Sequence, residues 1–229
     1  YIVLEVSMKK KILVVLTNVS KYPNFNRATG LWLSEAVHFV EVMKTNGFEV
    51  TYTSPLGGYV PIDPHSIEAN AMSEIDWSFY TNEDFLNRLG ITVPAKAINF
   101  EEYCAIYYTG GPGVIWDFPN NKKLQEIAIG IWNNGGVVSA VCHGVVGLLN
   151  IKDNTGEYLI KNKRVTGFSD SEEKESQVDK LLPYLTEDEL VKRGAKYSKT
   201  ANWGEYVVSD GRLVTGQNPA SGAAVAREV

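Results

Sequence analysis

The chain has 229 residues, of which 44% are hydrophobic and 21% are charged, and its formal net charge is −5. This length and composition are typical of a globular protein with one large domain or two small ones. The acidic balance argues against a nucleic-acid or anionic-membrane partner, and no apolar run is long enough to span a bilayer. Two cysteines are too few for a disulfide framework, and together with only three histidines they make a structural zinc site improbable. So few cysteines are typical of a protein from the reducing cytoplasm.

The sequence leads to one expectation for each end of the chain. Met8 comes after seven other residues, so residues 1–7 are predicted to be a leader or a vector-derived extension. The apolar residues 2–4 are too few for the hydrophobic region of a signal peptide. A single domain over residues 8–229 is expected, ending in a helix over 223–229 that stops short.

The first half of the chain alternates between strand and helix signals. Residues 11–16 form a fully apolar run, typical of a strand buried in a parallel sheet. Apolar periodicity predicts a helix over 30–46, and residues 48–54 alternate as a second strand, which together predict a right-handed crossover. Residues 57–100 break this pattern with three prolines and an aromatic cluster. They are predicted to be a lid-like insertion with one short helix over 82–89.

The second half resumes the alternation. A strand is predicted over residues 103–108 and a helix over 122–134. Further along, Thr186 and Glu189 predict a capping box at the start of a helix, and Asp210-Gly211 predicts a hairpin. The fold class expected is α/β, with a mostly parallel sheet and helices on both of its faces.

One cysteine lies at the joint between a strand and a helix. Residues 137–141 form a β-branched apolar run, and Cys142 follows directly, ahead of a helix start rich in small residues such as Gly144 and Gly147. A sharp strand-to-helix turn projects its central side chain, and a helix N-terminus favours a thiolate over a thiol. Cys142 is therefore the candidate nucleophile, and the alternative is a buried structural cysteine.

Several residues are candidates to surround this thiol. His143 is adjacent in sequence and is expected to line the same pocket. The turn 109–113 follows a neighbouring strand, so the backbone N–H groups of Gly111 and His143 are predicted to form an oxyanion hole; plain chain reversal is the alternative. Trp116 is predicted to shape the pocket wall, as are residues 22–26. His38 and His65 are expected to lie at a helix flank and in the insertion, away from the chemistry.

Three segments together resemble the ThiJ/PfpI family of the class I glutamine-amidotransferase-like superfamily. They are Ala140–Gly144, Thr109–Gly113 and Gly211–Ser221. The most similar branch holds glutathione-independent glyoxalases and heat-shock chaperones, and the resemblance covers nearly everything from Met8 onward. It implies a flavodoxin-like α/β sandwich, commonly a homodimer, with a Cys–His–acid constellation at a nucleophile elbow.

The resemblance also implies roles for acidic residues. Glu35, in Ser34–His38, matches the glutamate that hydrogen-bonds the nucleophile. Glu173 matches the acid that orients the histidine, with Glu172 as the alternative. The chain departs from the branch at Pro112, where a histidine is usual, and this departure is expected to change the substrate range or lower glyoxalase activity while leaving the thiol machinery unchanged.

The function implied is a lyase that converts methylglyoxal and related 2-oxoaldehydes to 2-hydroxy acids. Cys142 would form a hemithioacetal with the aldehyde, and Glu35 or His143 would move a proton between the two carbons. The small dicarbonyl is the only partner required, without glutathione, metal or other cofactor. The alternatives are a stress chaperone whose cysteine senses oxidants and a cysteine peptidase or amidase.

Overall fold

The computed structural model describes residues 10–229, so the predicted leader over residues 1–7 lies outside the described residues. Nine strands occur in this part of the chain, each shorter than seven residues. They are β1 (Lys11–Val15), β2 (Glu49–Ser54), β3 (Val93–Pro94), β4 (Ala105–Tyr108), β5 (Val137–Val141), β6 (Arg164–Val165), β7 (Lys196–Tyr197), β8 (Val207–Asp210) and β9 (Leu213–Gly216).

Seven of these strands form one sheet of order β3-β2-β1-β4-β5-β9-β8. Its neighbours pair in parallel except for β8 and β9, which form the antiparallel hairpin predicted around Asp210-Gly211. The two remaining strands, β6 and β7, pair in parallel outside this sheet. The mostly parallel sheet expected from the apolar strands is confirmed.

Eight α-helices occur in the described residues, and most of them cover the two faces of the sheet. They are α1 (Leu33–Thr45), α2 (Glu74–Tyr80), α3 (Glu83–Gly90), α4 (Val114–Asp117), α5 (Lys122–Asn133), α6 (Asp170–Glu175), α7 (Thr186–Lys192) and α8 (Gly222–Glu228). Side chains of α1, α2, α3 and α8 enter one hydrophobic core, and those of α4, α5 and α7 enter the other. The predicted α/β sandwich with helices on both faces is therefore confirmed.

Strand β1 shows how the sequence builds two cores from one sheet. Leu13 and Val15 pack into the core beneath α5, whereas Ile12 and Val14 pack into the core beneath α1. Successive side chains of a strand point to opposite faces, so a strand covered on both faces must be apolar throughout. No helix in residues 10–229 has the length and apolar character needed to cross a bilayer.

The insertion over residues 57–100 holds more regular structure than its sequence indicates. Helix α3 begins after Asn82, whose side chain caps it, close to the short helix predicted there. Helix α2 was not predicted, and it begins with a capping box between Ser73 and Asp76. Strand β3 then pairs with the end of β2 at the edge of the sheet.

The capping box predicted at Thr186 is wrong. Helix α7 takes Leu185 as its N-cap, without a side-chain hydrogen bond, and Thr186 is the first helical residue. A Ser-x-x-Glu capping box instead starts α6, where Ser169 and Glu172 satisfy each other's backbone N–H groups. The capping-box pattern therefore starts α6, the helix that holds Glu172 and Glu173.

Candidate active site

The strand-to-helix turn expected at Cys142 is present. Cys142 directly follows β5 with a φ of 56°, which is uncommon for a residue with a side chain, and is 2% exposed. The predicted α-helix after it is a 3₁₀ helix over Cys142–Leu148. This helix lies directly on β4: a Cβ at Gly144 would collide with the Thr109 carbonyl oxygen, and one at Gly147 would lie 2.6 Å from the Tyr108 ring. Small residues are needed here for close approach.

His143 links the thiol to a buried carboxylate. Its Nδ1 lies 3.6 Å from Cys142 Sγ, and its Nε2 lies 2.9 Å from Glu173 Oε1. His143 is 3% exposed and Glu173 is fully buried. A carboxylate can only accept, so Nε2 carries the hydrogen and Nδ1 presents its lone pair to the sulfur. The structure thus brings together Cys142, His143 and Glu173, and His143 contacts the thiol directly.

The neighbouring Glu172 has a different set of contacts. Its Oε2 accepts from the backbone and hydroxyl of Ser169 at 3.0 and 2.8 Å. Its Oε1 accepts from Trp203 N–H, Gln217 Nε2 and Asn218 Nδ2 at 2.9 to 3.1 Å. Both oxygens are occupied by groups that tie three segments together. Of the two glutamates, Glu172 therefore acts on the fold, and its neighbour is the one that reaches the imidazole.

Glu35 lies in the first turn of α1 and is fully buried. Its Oε2 accepts the Gly110 N–H at 2.6 Å, while its Oε1 has no hydrogen-bond partner within residues 10–229. Burial raises the pKa of Glu35 to about 8, although the neighbouring Cys142 side chain and the Gly110 N–H act in the opposite direction. The carboxyl therefore carries a proton at neutral pH, next to the thiol.

The thiol itself is not acidified as its position predicts. Burial raises the pKa of Cys142 well above its ordinary value, and the Glu35 carboxyl beside it acts in the same direction. The backbone N–H of His143 lowers it, which is the expected effect of the turn, but burial is stronger. The expectation of a thiolate from a helix N-terminus alone is therefore wrong, and ionisation of the thiol calls for the adjacent imidazole as base.

Sheet register explains why these groups meet. Strands β4 and β5 pair in parallel with Tyr108 opposite Ala140, so Gly110 and Cys142 leave the sheet side by side at its carboxyl edge. A Cβ at Gly110 would collide with the Glu35 carboxyl. Ligand sites of open α/β sheets lie at this edge.

Gly111 is held in a conformation that favours glycine. Its φ is 104°, and a Cβ there would collide with the Gly30 carbonyl oxygen. The Gly110 N–H is used by Glu35, whereas the Gly111 N–H makes no hydrogen bond in the described part of the chain. The oxyanion hole of Gly111 and His143 N–H groups stays a prediction.

A cavity of about 160 Å³ opens onto the thiol. One side, which we call the elbow wall, consists of Pro112, Cys142, His143 and Phe168. A second part of the lining, which we call the loop wall, consists of Tyr22, Arg27, Asp63 and His65. Trp203 also lines the cavity, and its own side chain is 43% exposed. The space suits a small molecule rather than a polypeptide.

Residues 27–229 match the model of the DJ-1/PfpI family, which is most of the chain. The chain belongs to the DJ-1/PfpI family. It is 37% identical to the Saccharomyces cerevisiae protein named glutathione-independent glyoxalase HSP31, over 93% of each chain. It is 34% identical to Glyoxalase 3 of Candida albicans, over 96% of each chain.

Solved structures show the same fold. The X-ray structure of the Francisella tularensis Rapid Encystment Protein 24 KDa superposes with a TM-score of 0.92, at 38% identity over 96% of each chain. The crystal structure of glyoxalase III from Candida albicans superposes with a TM-score of 0.86, at 34% identity over 96% of this chain and 95% of that one. These matches confirm the resemblance to the ThiJ/PfpI family and its flavodoxin-like fold.

The structure corrects the predicted positions of two residues around the cavity. Trp116 does not line the cavity but packs edge-on against Tyr22, with ring centroids 5.3 Å apart, one layer behind the wall. His65, expected away from the chemistry, lines the cavity. His38 does lie at the flank of α1, where it contacts Asp76. Pro112 faces the cavity, so the departure from the branch changes the cavity wall itself.

Sequence reasoning missed Arg27 and Asp63. Asp63 caps the 3₁₀ turn Pro64–Ile67 by accepting the His65 N–H, and this Asp-Pro-His order is a local signal for a fixed loop. Nothing local indicates that Arg27 reaches the same cavity. Within residues 10–229, no group of three or more His, Cys, Asp or Glu side chains is arranged to hold a metal ion.

Proposed function

We propose that this chain is a glutathione-independent glyoxalase that converts methylglyoxal and related 2-oxoaldehydes to 2-hydroxy acids. The observation that carries the proposal is the buried thiol between an imidazole and a fully buried carboxyl, at the wall of a small cavity. The printed names of the relatives at 34 and 37% identity support it. No external thiol is required, because Cys142 takes the place of the sulfur of glutathione.

The first step is addition of the thiol to the aldehyde. His143 Nδ1, 3.6 Å from Sγ, takes the thiol proton while the sulfur adds to the aldehyde carbon. Glu173, 2.9 Å from Nε2, stabilises the imidazolium that forms. Glu35 gives its proton to the aldehyde oxygen, which yields a hemithioacetal, and the carboxyl becomes a carboxylate.

The second step is isomerisation. The Glu35 carboxylate removes the hydrogen from the former aldehyde carbon, and the imidazolium of His143 protonates the neighbouring ketone oxygen, which gives an ene-diol. Glu35 then returns its proton to the second carbon, and His143 takes the hydroxyl proton of the first. The product is a 2-hydroxy thioester on Cys142. A carboxyl with a pKa of about 8 suits a group that must both give and take a proton near neutral pH.

The last step is hydrolysis. Water adds to the thioester carbon and gives a proton to the Glu35 carboxylate, and the departing sulfur takes the proton from His143. The 2-hydroxy acid leaves, and thiol, imidazole and carboxyl return to their starting states. The acid then loses its proton to solvent, so one dicarbonyl and one water give one hydroxycarboxylate and one proton.

The test is a glutathione-free assay. Purified protein, treated with chelator, is mixed with methylglyoxal, and both methylglyoxal loss and lactate formation are followed. We expect lactate to form in step with methylglyoxal loss, and Cys104→Ser, the matched control for the second cysteine, to retain this activity. If the wild-type protein forms no lactate but still suppresses the aggregation of an unfolded client protein, the proposal is contradicted and the chaperone alternative is favoured.

The homodimer and the cytoplasmic location implied by the family are part of the same proposal. The reducing cysteine usage supports the location. A sedimentation measurement tests the oligomeric state.

A further inference from the structure

The loop wall holds a cation that the proposed mechanism does not use. Arg27 lines the cavity together with Cys142. Its Nε is buried without a hydrogen-bond partner in residues 10–229, and no carboxylate in that part of the chain lies within ion-pair distance of its guanidinium. The ring of Tyr22, with its centroid 5.7 Å from the guanidinium carbon, supports the side chain from one side. Because none of the described carboxylates pairs with this guanidinium, an anion that enters the cavity is favoured beside it.

A second nitrogen group lies beside this guanidinium. His65 Nε2 is 3.5 Å from Arg27 Nη2, and His65 Nδ1 is 3.0 Å from Asp63 Oδ1. The other Asp63 oxygen accepts from the Thr29 hydroxyl at 3.0 Å. One oxygen of Asp63 thus fixes the imidazole and the other fixes Thr29, and neither hydrogen-bonds to the guanidinium. The two nitrogen groups meet at one place in the cavity wall.

The reaction creates the kind of group that the Arg27 guanidinium recognises, while His65 Nε2 accepts from Arg27 Nη2 and holds the guanidinium in place. A 2-oxoaldehyde is neutral, whereas its 2-hydroxy acid product carries a carboxylate. A guanidinium matches a carboxylate with two parallel N–H donors, and such charge-assisted hydrogen bonds are stronger than neutral ones. We propose that Arg27, with His65 beside it, is a carboxylate-binding subsite for the hydroxy acid product, an inference that rests on the proposed function.

Such a subsite distinguishes product from substrate by charge. The product gains hydrogen bonds to Arg27 that the neutral dicarbonyl cannot make, so the protein binds the product more tightly than a neutral molecule of the same shape. Because product and substrate share one cavity, D-lactate is then a competitive inhibitor of methylglyoxal turnover.

The experiment measures binding of sodium D-lactate to the intact protein by calorimetry, with neutral lactamide as the isosteric comparison. It is run on wild type, Arg27→Met, Arg27→Lys and Arg88→Met. Arg88 is the matched control, since it is an exposed arginine paired with Asp84 outside this cavity. We expect D-lactate to bind wild type and Arg88→Met, and Arg27→Met to weaken binding by roughly tenfold to a hundredfold.

Arg27→Lys keeps the positive charge but lacks the two parallel N–H donors of the guanidinium, so we expect an intermediate loss of D-lactate affinity. This variant replaces Arg27→Met in the test if Arg27→Met does not fold. Lactamide binding equal to that of D-lactate, or D-lactate binding unchanged in both Arg27 variants, would overturn the proposal. The binding measurement needs no turnover. A wild type that binds D-lactate through Arg27 but forms none from methylglyoxal would therefore refute the proposed function while leaving the subsite standing.

Discussion

The elbow wall and the loop wall of the cavity are built in different ways. Cys142 and His143 follow β5 directly, and the turn holding Pro112 follows β4, so the register of two neighbouring strands fixes their positions. Arg27 and Asp63 come from two separate loops, and backbone and side-chain hydrogen bonds of these loops, rather than the register of the main sheet, hold the loop wall.

The two walls also differ in how their carboxyl groups are satisfied. Asp63 on the loop wall has both oxygens hydrogen-bonded. Beside the elbow wall, Glu35 and Glu173 are fully buried and each keeps one oxygen without a partner in residues 10–229. Incompletely satisfied buried carboxyls can exchange protons, whereas satisfied ones hold structure. We therefore propose that proton transfer takes place beside the elbow wall and that the loop wall serves recognition.

The largest effect is expected from Glu35→Gln. The amide fills the same space but cannot shuttle a proton, so turnover of methylglyoxal should fall by about a hundredfold or more. The matched control is Glu41→Gln, an exposed glutamate on the same helix, which should keep wild-type kinetics. Steady-state assays of both variants measure this, and near-normal activity of Glu35→Gln would remove proton transfer from this side of the cavity.

Glu173→Gln and Glu172→Gln sharpen the comparison within one helix. Glu173→Gln should lower kcat by roughly tenfold to a hundredfold, because the imidazole loses its charged partner, with little change in thermal stability. Glu172→Gln should instead cost about 1–3 kcal/mol of stability, since its oxygens accept from three segments. Thermal melts and kinetics of both variants decide it, and reversed phenotypes would exchange the two roles.

The raised pKa of Glu35 predicts a pH-dependent stability. The unfolded carboxyl, with its ordinary value of 4.5, loses its proton before the folded one does at about 8. Between these values the unfolded state binds fewer protons, so the free energy of unfolding falls as pH rises. Glu35→Gln lacks this contribution. Its free energy of unfolding should therefore rise relative to that of wild type by up to a few kcal/mol as the pH goes from the lower to the higher of these two pKa values, at about 1.4 kcal/mol per pKa unit. Denaturant unfolding at both ends measures the difference; parallel curves would contradict it.

The smallest effect is expected at the mouth of the cavity. Trp203 has a φ of 64° and is held by its backbone N–H to Glu172 and by its indole N–H to Glu175 at 2.9 Å. Trp203→Ala should open the mouth and raise kcat/KM for phenylglyoxal relative to methylglyoxal by about tenfold or less. Trp77→Ala, another half-exposed tryptophan, is the control. An unchanged ratio would exclude Trp203 from substrate selection.

The residues of the elbow wall are far more predictable from the sequence than those of the loop wall. Buried strands, the strand–Cys joint and the glycine turn are local patterns, and the parallel sheet then brings Cys142 and Gly110 together. The positions of Glu35 and Glu173 came from family resemblance, since a glutamate on a helix carries no local sign of burial. The 3₁₀ form of the elbow helix depends on close contact with β4, which periodicity does not show.

The loop wall depends on contacts between distant parts of the chain. Arg27 and His65 meet through loop conformations that neither segment specifies alone. Trp116 was misplaced for the same reason, since its ring packs behind Tyr22 rather than beside the thiol. The raised pKa of the Cys142 thiol comes from the burial around the turn, which the strand-to-helix pattern does not show.

The central claim is that the thiol of Cys142 carries the substrate. Acid quenching during turnover of isotopically labelled methylglyoxal preserves a thioester, and peptide mapping by mass spectrometry locates it. We expect one labelled hydroxyacyl group on the peptide containing Cys142, appearing before free lactate and absent from Cys142→Ser, which should also form no lactate. Lactate formation without any label on Cys142, or undiminished in Cys142→Ser, would contradict the account.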